Sequence, residues 1–154
     1  MDQGAGVTLR RAGEADAEAI GALTRAAYAK WVPLIGREPM PMTVDYAQAV
    51  TRHRFDLLHA DGVLAALIET TPADDDRLLI VNVAVDPAFQ GRGFGKRLLA
   101  FAEDLAVQAG FSGTRLYTNQ RFEENIGLYL SVGYVVEREE ALNGGVAVHM
   151  TKTF

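Results

Sequence analysis

The sequence predicts an α/β (α+β) protein with a mixed central sheet of about seven strands and about four flanking helices. Leu78 to Val85 reads LLIVNVAV, which is typical of a strand at the centre of a sheet. An amphipathic helix pattern over Phe94 to Ala109 and a strand pattern over Thr114 to Thr118 follow it. Together they predict a βαβ unit, whose two strands are parallel with a right-handed crossover. Turn signals at Ala60-Asp-Gly62 and Asn143-Gly-Gly145 predict hairpins on either side.

The N-terminal part predicts one strand and two helices. Val7 to Arg10 has a short strand pattern, and an alanine-rich segment then predicts a helix from about Glu14 to Ala29. Three prolines and a glycine interrupt Lys30 to Thr43, so we expect no regular element there. Val44 to Arg52 predicts a second short helix.

The remaining segments complete the sheet. Thr71 to Arg77 contains a proline and three consecutive aspartates, which indicate a solvated turn. Strands are predicted on both sides of the first hairpin signal, at Phe55 to His59 and Val63 to Thr70, and on both sides of the second, at Tyr134 to Glu139 and Val146 to Thr153. A helix is predicted between the βαβ unit and the second hairpin, at Glu124 to Val132. The element order is β-α-α-β-β-β-α-β-α-β-β.

Composition narrows the possible functions. A chain of 154 residues predicts one domain over residues 1–154. The absence of cysteine excludes disulfides, a thiolate metal site and a cysteine nucleophile, and we expect no metal. A net charge of −5 disfavours nucleic acid as a partner despite the basic residues Arg92, Lys96 and Arg97. No apolar run is long enough to span a membrane and the first six residues do not resemble a signal peptide, so we expect a cytoplasmic location.

A glycine-rich loop, Gln90-Gly-Arg-Gly-Phe-Gly-Lys96, joins the central strand to its helix. Glycines let the backbone approach a ligand closely, and the free N–H groups of a helix start favour an anion. A nucleoside-triphosphate loop needs glycine at position 90 and Ser or Thr at 97, where the chain has Gln90 and Arg97. A dinucleotide loop needs glycine in place of Lys96. The pattern Q/R-x-x-G-x-G/A remains.

Two motifs resemble the GNAT N-acetyltransferase superfamily. Val83 to Leu99, with VAVDP before QGRGFGK, resembles its acyl-CoA-binding motif. Asn125 to Tyr134 resembles its N-x-x-x-Y-x-x-x-G-F/Y segment, at a typical distance downstream. The predicted element order resembles that of the superfamily over nearly the whole chain.

This resemblance implies transfer of an acetyl or other acyl group from CoA to an amine by direct attack. The pantetheine arm would add to the fourth strand like a further strand, where the fourth and fifth strands splay apart, and a backbone N–H there would face the thioester carbonyl. The loop N–H groups would hold the pyrophosphate. The implied cofactor-binding residues are Val83, Ala84, Val85, Gln90, Gly91, Arg92, Gly93, Phe94, Gly95, Lys96, Asn125 and Tyr129.

Tyr129 matches the superfamily tyrosine that protonates the leaving CoA thiolate. A phenol suits this role because it carries its proton at neutral pH. The alternative is a helical tyrosine that only packs its ring. Asn125 matches a position near the cofactor, or else it is the N-cap or lies in the first turn of the same helix.

The general base has no obvious candidate on the fourth strand, where relatives often carry glutamate or histidine. Asn82 is the only polar side chain there and cannot take a proton. Glu69 on the third strand is the substitute, although a solvated strand-end carboxylate is an equal interpretation. His53 and His59 are further candidates, and a water relay or an amine that arrives neutral would also suffice.

The acceptor site is expected in the irregular segment Trp31 to Tyr46 and the last hairpin, because loops on a rigid scaffold usually carry specificity. The candidate residues are Trp31, Met42, Tyr46 and Asn82, and the alternative is that the loop residues only pack the first helices onto the sheet. The acceptor would be a small-molecule amine or a peptide amine. A non-catalytic acyl-CoA-binding or regulatory module is the alternative function, and a homodimer is expected by analogy.

Overall fold

The computed structural model describes residues 6–142 and 144–154. Two predictions therefore lie outside the described residues in part. These are the signal-peptide expectation, which concerns residues 1–5, and the predicted turn at Asn143. The strands are β1 (Val7–Arg11), β2 (Arg54–Ala60), β3 (Val63–Pro72), β4 (Arg77–Val85), β5 (Gly113–Asn119), β6 (Val135–Leu142) and β7 (Gly145–Thr153). The helices are α1 (Ala17–Tyr28), the single turn α2 (Val32–Ile35), α3 (Tyr46–Arg52), α4 (Phe94–Gln108) and α5 (Glu123–Ser131).

The strands form one mixed sheet in the order β1-β2-β3-β4-β5-β7-β6, which confirms the predicted fold class. β4 is the central strand, as its continuous apolar sequence predicts. β4 and β5 are parallel and the other neighbouring pairs are antiparallel. Within the described residues, no helix is long and apolar enough to cross a membrane.

The segment from Lys30 to Thr43 is more regular than predicted. It contains α2 and a 3-10 helix at Met40–Thr43. Pro33 lies in the first turn of α2, where a helix needs no backbone N–H, so the proline does not prevent this turn. Gly36 ends it with a φ of 74°.

Helices cover both faces of the sheet. α4 and α5 pack on one face, where Leu98, Leu99 and Tyr129 belong to one buried cluster. α1 and α3 pack on the other face, where Ile20 and Tyr46 belong to a second cluster. The two faces therefore carry separate cores on either side of β3 and β4.

Two irregularities in β4 shape the centre of the sheet. Pairing with β5 runs only from Arg77 to Ile80, although both strands continue, so the strands separate beyond this point. Opposite β3, Ile80 pairs with Thr70 and Asn82 pairs with Glu69, which leaves Val81 as a bulge. Because of the bulge, Ile80 packs beneath α4, whereas Asn82 lies on the α1 face.

Candidate active site

The glycine loop adopts a backbone that glycine favours. Gly91 and Gly93 have φ values of 83° and 79°, in the left-handed region. A Cβ atom at either position would meet nothing within 4 Å, so the backbone conformation, rather than lack of space, selects glycine. Gly93 is the N-cap of α4 and accepts the first helical hydrogen bond, from Arg97. The N–H groups of residues 94–96 consequently have no partner within the helix and can bind an anion.

A cavity of about 190 Å³, which we call the donor cavity, adjoins this loop. It is lined by Ala27, Tyr28, Lys30, Trp31, Val83, Ala84, Val85, Gln90, Gly95, Glu124, Asn125, Leu128 and Tyr129. The structure thus brings together seven of the predicted cofactor-binding residues, from β4, the glycine loop, α4 and α5. Gly91, Arg92, Gly93, Phe94 and Lys96 are outside this lining. Phe94 is buried in the core, so only its main chain is available to a ligand.

Tyr129 points into a buried environment. It is 8% exposed and its ring packs edge-on against Tyr134, with 6.1 Å between the ring centroids. Burial raises the pKa of Tyr129 to about 12. The phenol therefore keeps its proton throughout the neutral range, as the predicted acid role requires. Asn125 is the third residue of α5 and therefore lies in the first turn of this helix, whose N-cap is Phe122.

A larger cavity of about 440 Å³, the acceptor cavity, lies on the α1 face. Pro39, Met40 and Pro41 from the loop before α3, and Leu142 and Val146 from the last hairpin, contribute apolar walls. Polar side chains on its lining include Tyr28, Tyr46, Glu69 and Asn82. The loop and the hairpin therefore both contribute to one cavity, as the sequence predicts.

Two of the predicted acceptor residues occupy other places. Trp31 lines the donor cavity and stacks on Phe122, with 4.6 Å between the ring centroids. Met42 is outside both linings, although its neighbours Met40 and Pro41 line the acceptor cavity. Tyr46 and Asn82 do lie in the acceptor cavity.

Glu69 and His53 form a close pair at the acceptor cavity. Glu69 Oε2 lies 2.6 Å from His53 Nδ1, and Glu69 is only 4% exposed. The carboxylate is therefore buried rather than a solvated strand end. Burial raises the pKa of Glu69, and the hydrogen bond and charge of His53 partly oppose this shift. His59 is outside both cavity linings.

Tyr28 is a site residue that the sequence did not reveal as one. Its hydroxyl donates a 2.7 Å hydrogen bond to Asn82 Oδ1, and the residue lines both cavities. Burial raises the pKa of Tyr28 well above its ordinary value, with smaller effects from Tyr129, Tyr46 and Glu69. Its position near helical spacing with apolar residues is equally typical of a core tyrosine, so no sequence signal separates the two roles.

The part of the chain that the structure describes contains no group of three or more His, Asp or Glu side chains able to hold a metal ion. The site comprises the glycine loop and the two cavities beside it. The two cavities share Tyr28 and take successive residues of β4, with Val81 and Asn82 on the acceptor side and Val83 to Val85 on the donor side.

Comparison with solved structures shows the same fold elsewhere. PaiA N-acetyltransferase from Thermoplasma acidophilum, solved in complex with coenzyme A, is 19% identical with a TM-score of 0.82 over 96% of this chain and 99% of that chain. A ribosomal-protein alanine N-acetyltransferase from Escherichia coli is 23% identical with a TM-score of 0.77, over 96% and 93% of the two chains. IAA acetyltransferase from Bacillus cereus is 21% identical with a TM-score of 0.71, over 96% and 99%.

Sequence comparison identifies the family. No curated protein matches the chain. The model of the acetyltransferase (GNAT) family matches residues 20–134, which include the glycine loop, both cavity-lining segments of β4 and the tyrosine of α5. This match covers well over half of the sequence, and the chain belongs to the acetyltransferase (GNAT) family.

Proposed function

We propose that the protein is an N-acetyltransferase that moves an acetyl group from acetyl-CoA directly to a primary amine. The observation that carries this proposal is that the two cavities share Tyr28 and are lined by successive residues of β4, beside the point where β4 and β5 separate. Direct transfer requires the thioester and the amine to meet, and adjacent cavities on one strand can hold them side by side. Family membership and the coenzyme A complex of the PaiA enzyme support the choice of donor.

In this proposal the first turn of α4 binds the CoA pyrophosphate. The free N–H groups of Phe94, Gly95 and Lys96 supply donors, and the helix dipole together with Arg92 adds positive charge. Val83 to Val85 no longer pair with β5, so their edge toward β5 can accept the pantetheine amides as an added strand. This arrangement directs the thioester toward Asn82.

In the chemical step, one C–N bond forms and one C–S bond breaks. The amine nitrogen attacks the thioester carbon, and the carbonyl electron pair moves to oxygen. The pair returns as the C–S bond breaks, giving an amide and the CoA thiolate. Tyr129 donates a hydrogen bond to that thiolate as it departs, the amine proton passes to the base, and the released thiolate takes its proton from water.

Glu69 serves as this base in the proposal. An alkylammonium has a pKa of about 10.4, so the acceptor must lose a proton before it attacks. Glu69 lines the acceptor cavity and is held by His53, and its burial makes it a stronger base than an ordinary carboxylate. The open cavity lets the proton return to solvent after the product leaves.

Two measurements test the proposal. Calorimetry with acetyl-CoA is expected to show binding, and a thiol-detecting assay with a panel of primary amines is expected to show CoA release that depends on both substrates. No binding at millimolar acetyl-CoA would remove the donor assignment. Binding without thiol release for any amine would instead favour a non-catalytic acyl-CoA-binding module.

A further inference from the structure

We infer that the side chain of Asn82, held by Tyr28, donates a hydrogen bond from Nδ2 to the acyl carbonyl oxygen during transfer. This inference rests on the proposed function. It adds a side-chain donor to the reaction, besides the acid, the base and the anion-binding loop described above.

The first support is a buried donor without a partner. Asn82 is 4% exposed, and its Nδ2 forms no hydrogen bond to any described residue. Its Oδ1 accepts the 2.7 Å hydrogen bond from the Tyr28 hydroxyl. A buried amide donor left unpaired costs free energy, and native proteins contain few of them. Such a group at a cavity indicates a position prepared for a ligand.

The second support is where the donor lies. The bulge at Val81 turns Asn82 onto the α1 face, into the acceptor cavity. The next residue, Val83, already lines the donor cavity, and Tyr28 lines both cavities. In the proposed function the reacting carbonyl passes between donor and acceptor, and the lining residues of the two cavities meet at the step from Asn82 to Val83.

The chemistry of the reacting groups selects the partner. The incoming ammonium is itself a donor and cannot accept a hydrogen bond from Nδ2, and the lone pair of the neutral amine is directed at the carbonyl carbon as it attacks. The carbonyl oxygen accepts one, and it becomes more negative as the amine adds. A fixed donor at this oxygen stabilises the transition state more than the substrate, which is the condition for catalysis. Asn82 gains and loses no proton in the step.

Tyr28 is a positioning residue in this arrangement. Its hydroxyl, which keeps its proton because of its raised pKa, holds Oδ1 and so fixes the orientation of the amide. Other titratable or charged groups around Asn82 are Glu69, directly opposite on β3, with its partner His53, then Tyr46 of α3 and Tyr129 of α5. The Glu69 carboxylate accepts protons and hydrogen bonds but does not donate, so it complements the Asn82 donor.

The test compares three variants with a structural control. Asn82→Leu removes the donor, Tyr28→Phe releases it, and the double variant replaces both partners with apolar groups of similar size. The control, Thr114→Val, breaks the buried 2.6 Å hydrogen bond between Thr114 and Tyr134, which lies outside both cavities. Each protein is assayed for melting temperature, acetyl-CoA affinity by calorimetry, and kcat and KM for one amine.

We expect Asn82→Leu to lower kcat by about 10²- to 10³-fold, as removal of one oxyanion donor does elsewhere, with acetyl-CoA affinity within about twofold. Tyr28→Phe should lower kcat less, and the double variant should be no worse than Asn82→Leu. The double variant should melt no lower than the wild type, because an unsatisfied donor has been removed. The control should melt lower with unchanged kcat.

Two results would overturn the inference. If the double variant melts as low as the control, the hydrogen bond between Tyr28 and Asn82 is structural. This conclusion needs no catalytic activity, so it also holds if the wild type binds acetyl-CoA without turnover. If Asn82→Leu raises only KM for the amine, Asn82 binds the acceptor and not the transition state. If the wild type does not bind acetyl-CoA, the result would instead count against the proposed function.

Discussion

Replacing Tyr129 with phenylalanine tests how the leaving group departs. The raised pKa of about 12 makes this phenol a weak acid. A free thiol has a pKa of about 8.5, so complete proton transfer from Tyr129 to a thiolate is uphill by about 5 kcal/mol. The phenol therefore acts mainly through a charge-assisted hydrogen bond to the departing sulfur, worth about 1.5–3 kcal/mol.

This magnitude sets the expected kinetics. Tyr129→Phe should lower kcat by about 10- to 100-fold at neutral pH, below the upper range for a full general acid. The affinity for acetyl-CoA, measured by calorimetry, should change by less than about threefold, since the hydrogen bond forms only as the thiolate develops. An unchanged kcat would refute a role for the hydroxyl. A weaker acetyl-CoA affinity with the same kcat would show that Tyr129 only shapes the cavity.

Three further predictions concern the base, the loop and the acceptor. Because burial raises the pKa of Glu69, the folded protein holds this proton more tightly than the unfolded chain, and ionisation above the unfolded pKa lowers stability. The melting temperature of Glu69→Gln minus that of the wild type should therefore be larger at about pH 8 than at about pH 4. An equal difference at both pH values would contradict this reasoning. Gly93→Ala should lower the free energy of unfolding, measured in urea, by about 1–2 kcal/mol and weaken acetyl-CoA binding, because the φ of Gly93 is 79°. The matched control is Gly13→Ala, which should be neutral or slightly stabilising because Gly13 has a φ of −125° and open space around a Cβ atom. The acceptor-cavity lining carries two acidic side chains and two arginines (Asp45, Glu69, Arg37 and Arg52), so it has no excess negative charge to bind a second ammonium group. Hexylamine should therefore be at least as good a substrate by kcat/KM as hexamethylenediamine. A tenfold preference for the diamine would refute this reading.

Much of the fold could be predicted because its signals are local. The βαβ unit follows from a continuous apolar strand, an amphipathic helix and a second strand in sequence order. The hairpins follow from glycine-containing turns between strand patterns. The segment after Lys30 was predicted less well, since proline forbids the interior of a helix but not its first turn, and a single turn has no periodicity to detect.

The candidate site divides in the same way. The residues of the glycine loop are contiguous, so its glycines and cations are recognisable together in the sequence. The polar pairs are not contiguous. His53 and Glu69 are 16 residues apart, and Tyr28 and Asn82 are 54 apart, with no motif linking them. Trp31 and Met42 show the converse, because proximity in the chain to acceptor-cavity residues did not place them in that cavity.

The sequence by itself determined the anion-binding loop, because its conformation is encoded within seven consecutive residues whose glycines permit positive φ at the start of a helix. The tertiary structure alone decided which polar side chains lie together at the two cavities. Strand separation after Ile80 and the bulge at Val81 depend on pairing with β3 and β5, and α1 reaches Asn82 only by packing across the sheet. Such contacts arise from long-range packing, and a bulge of one residue exchanges the two faces of a strand without leaving a mark in the local pattern.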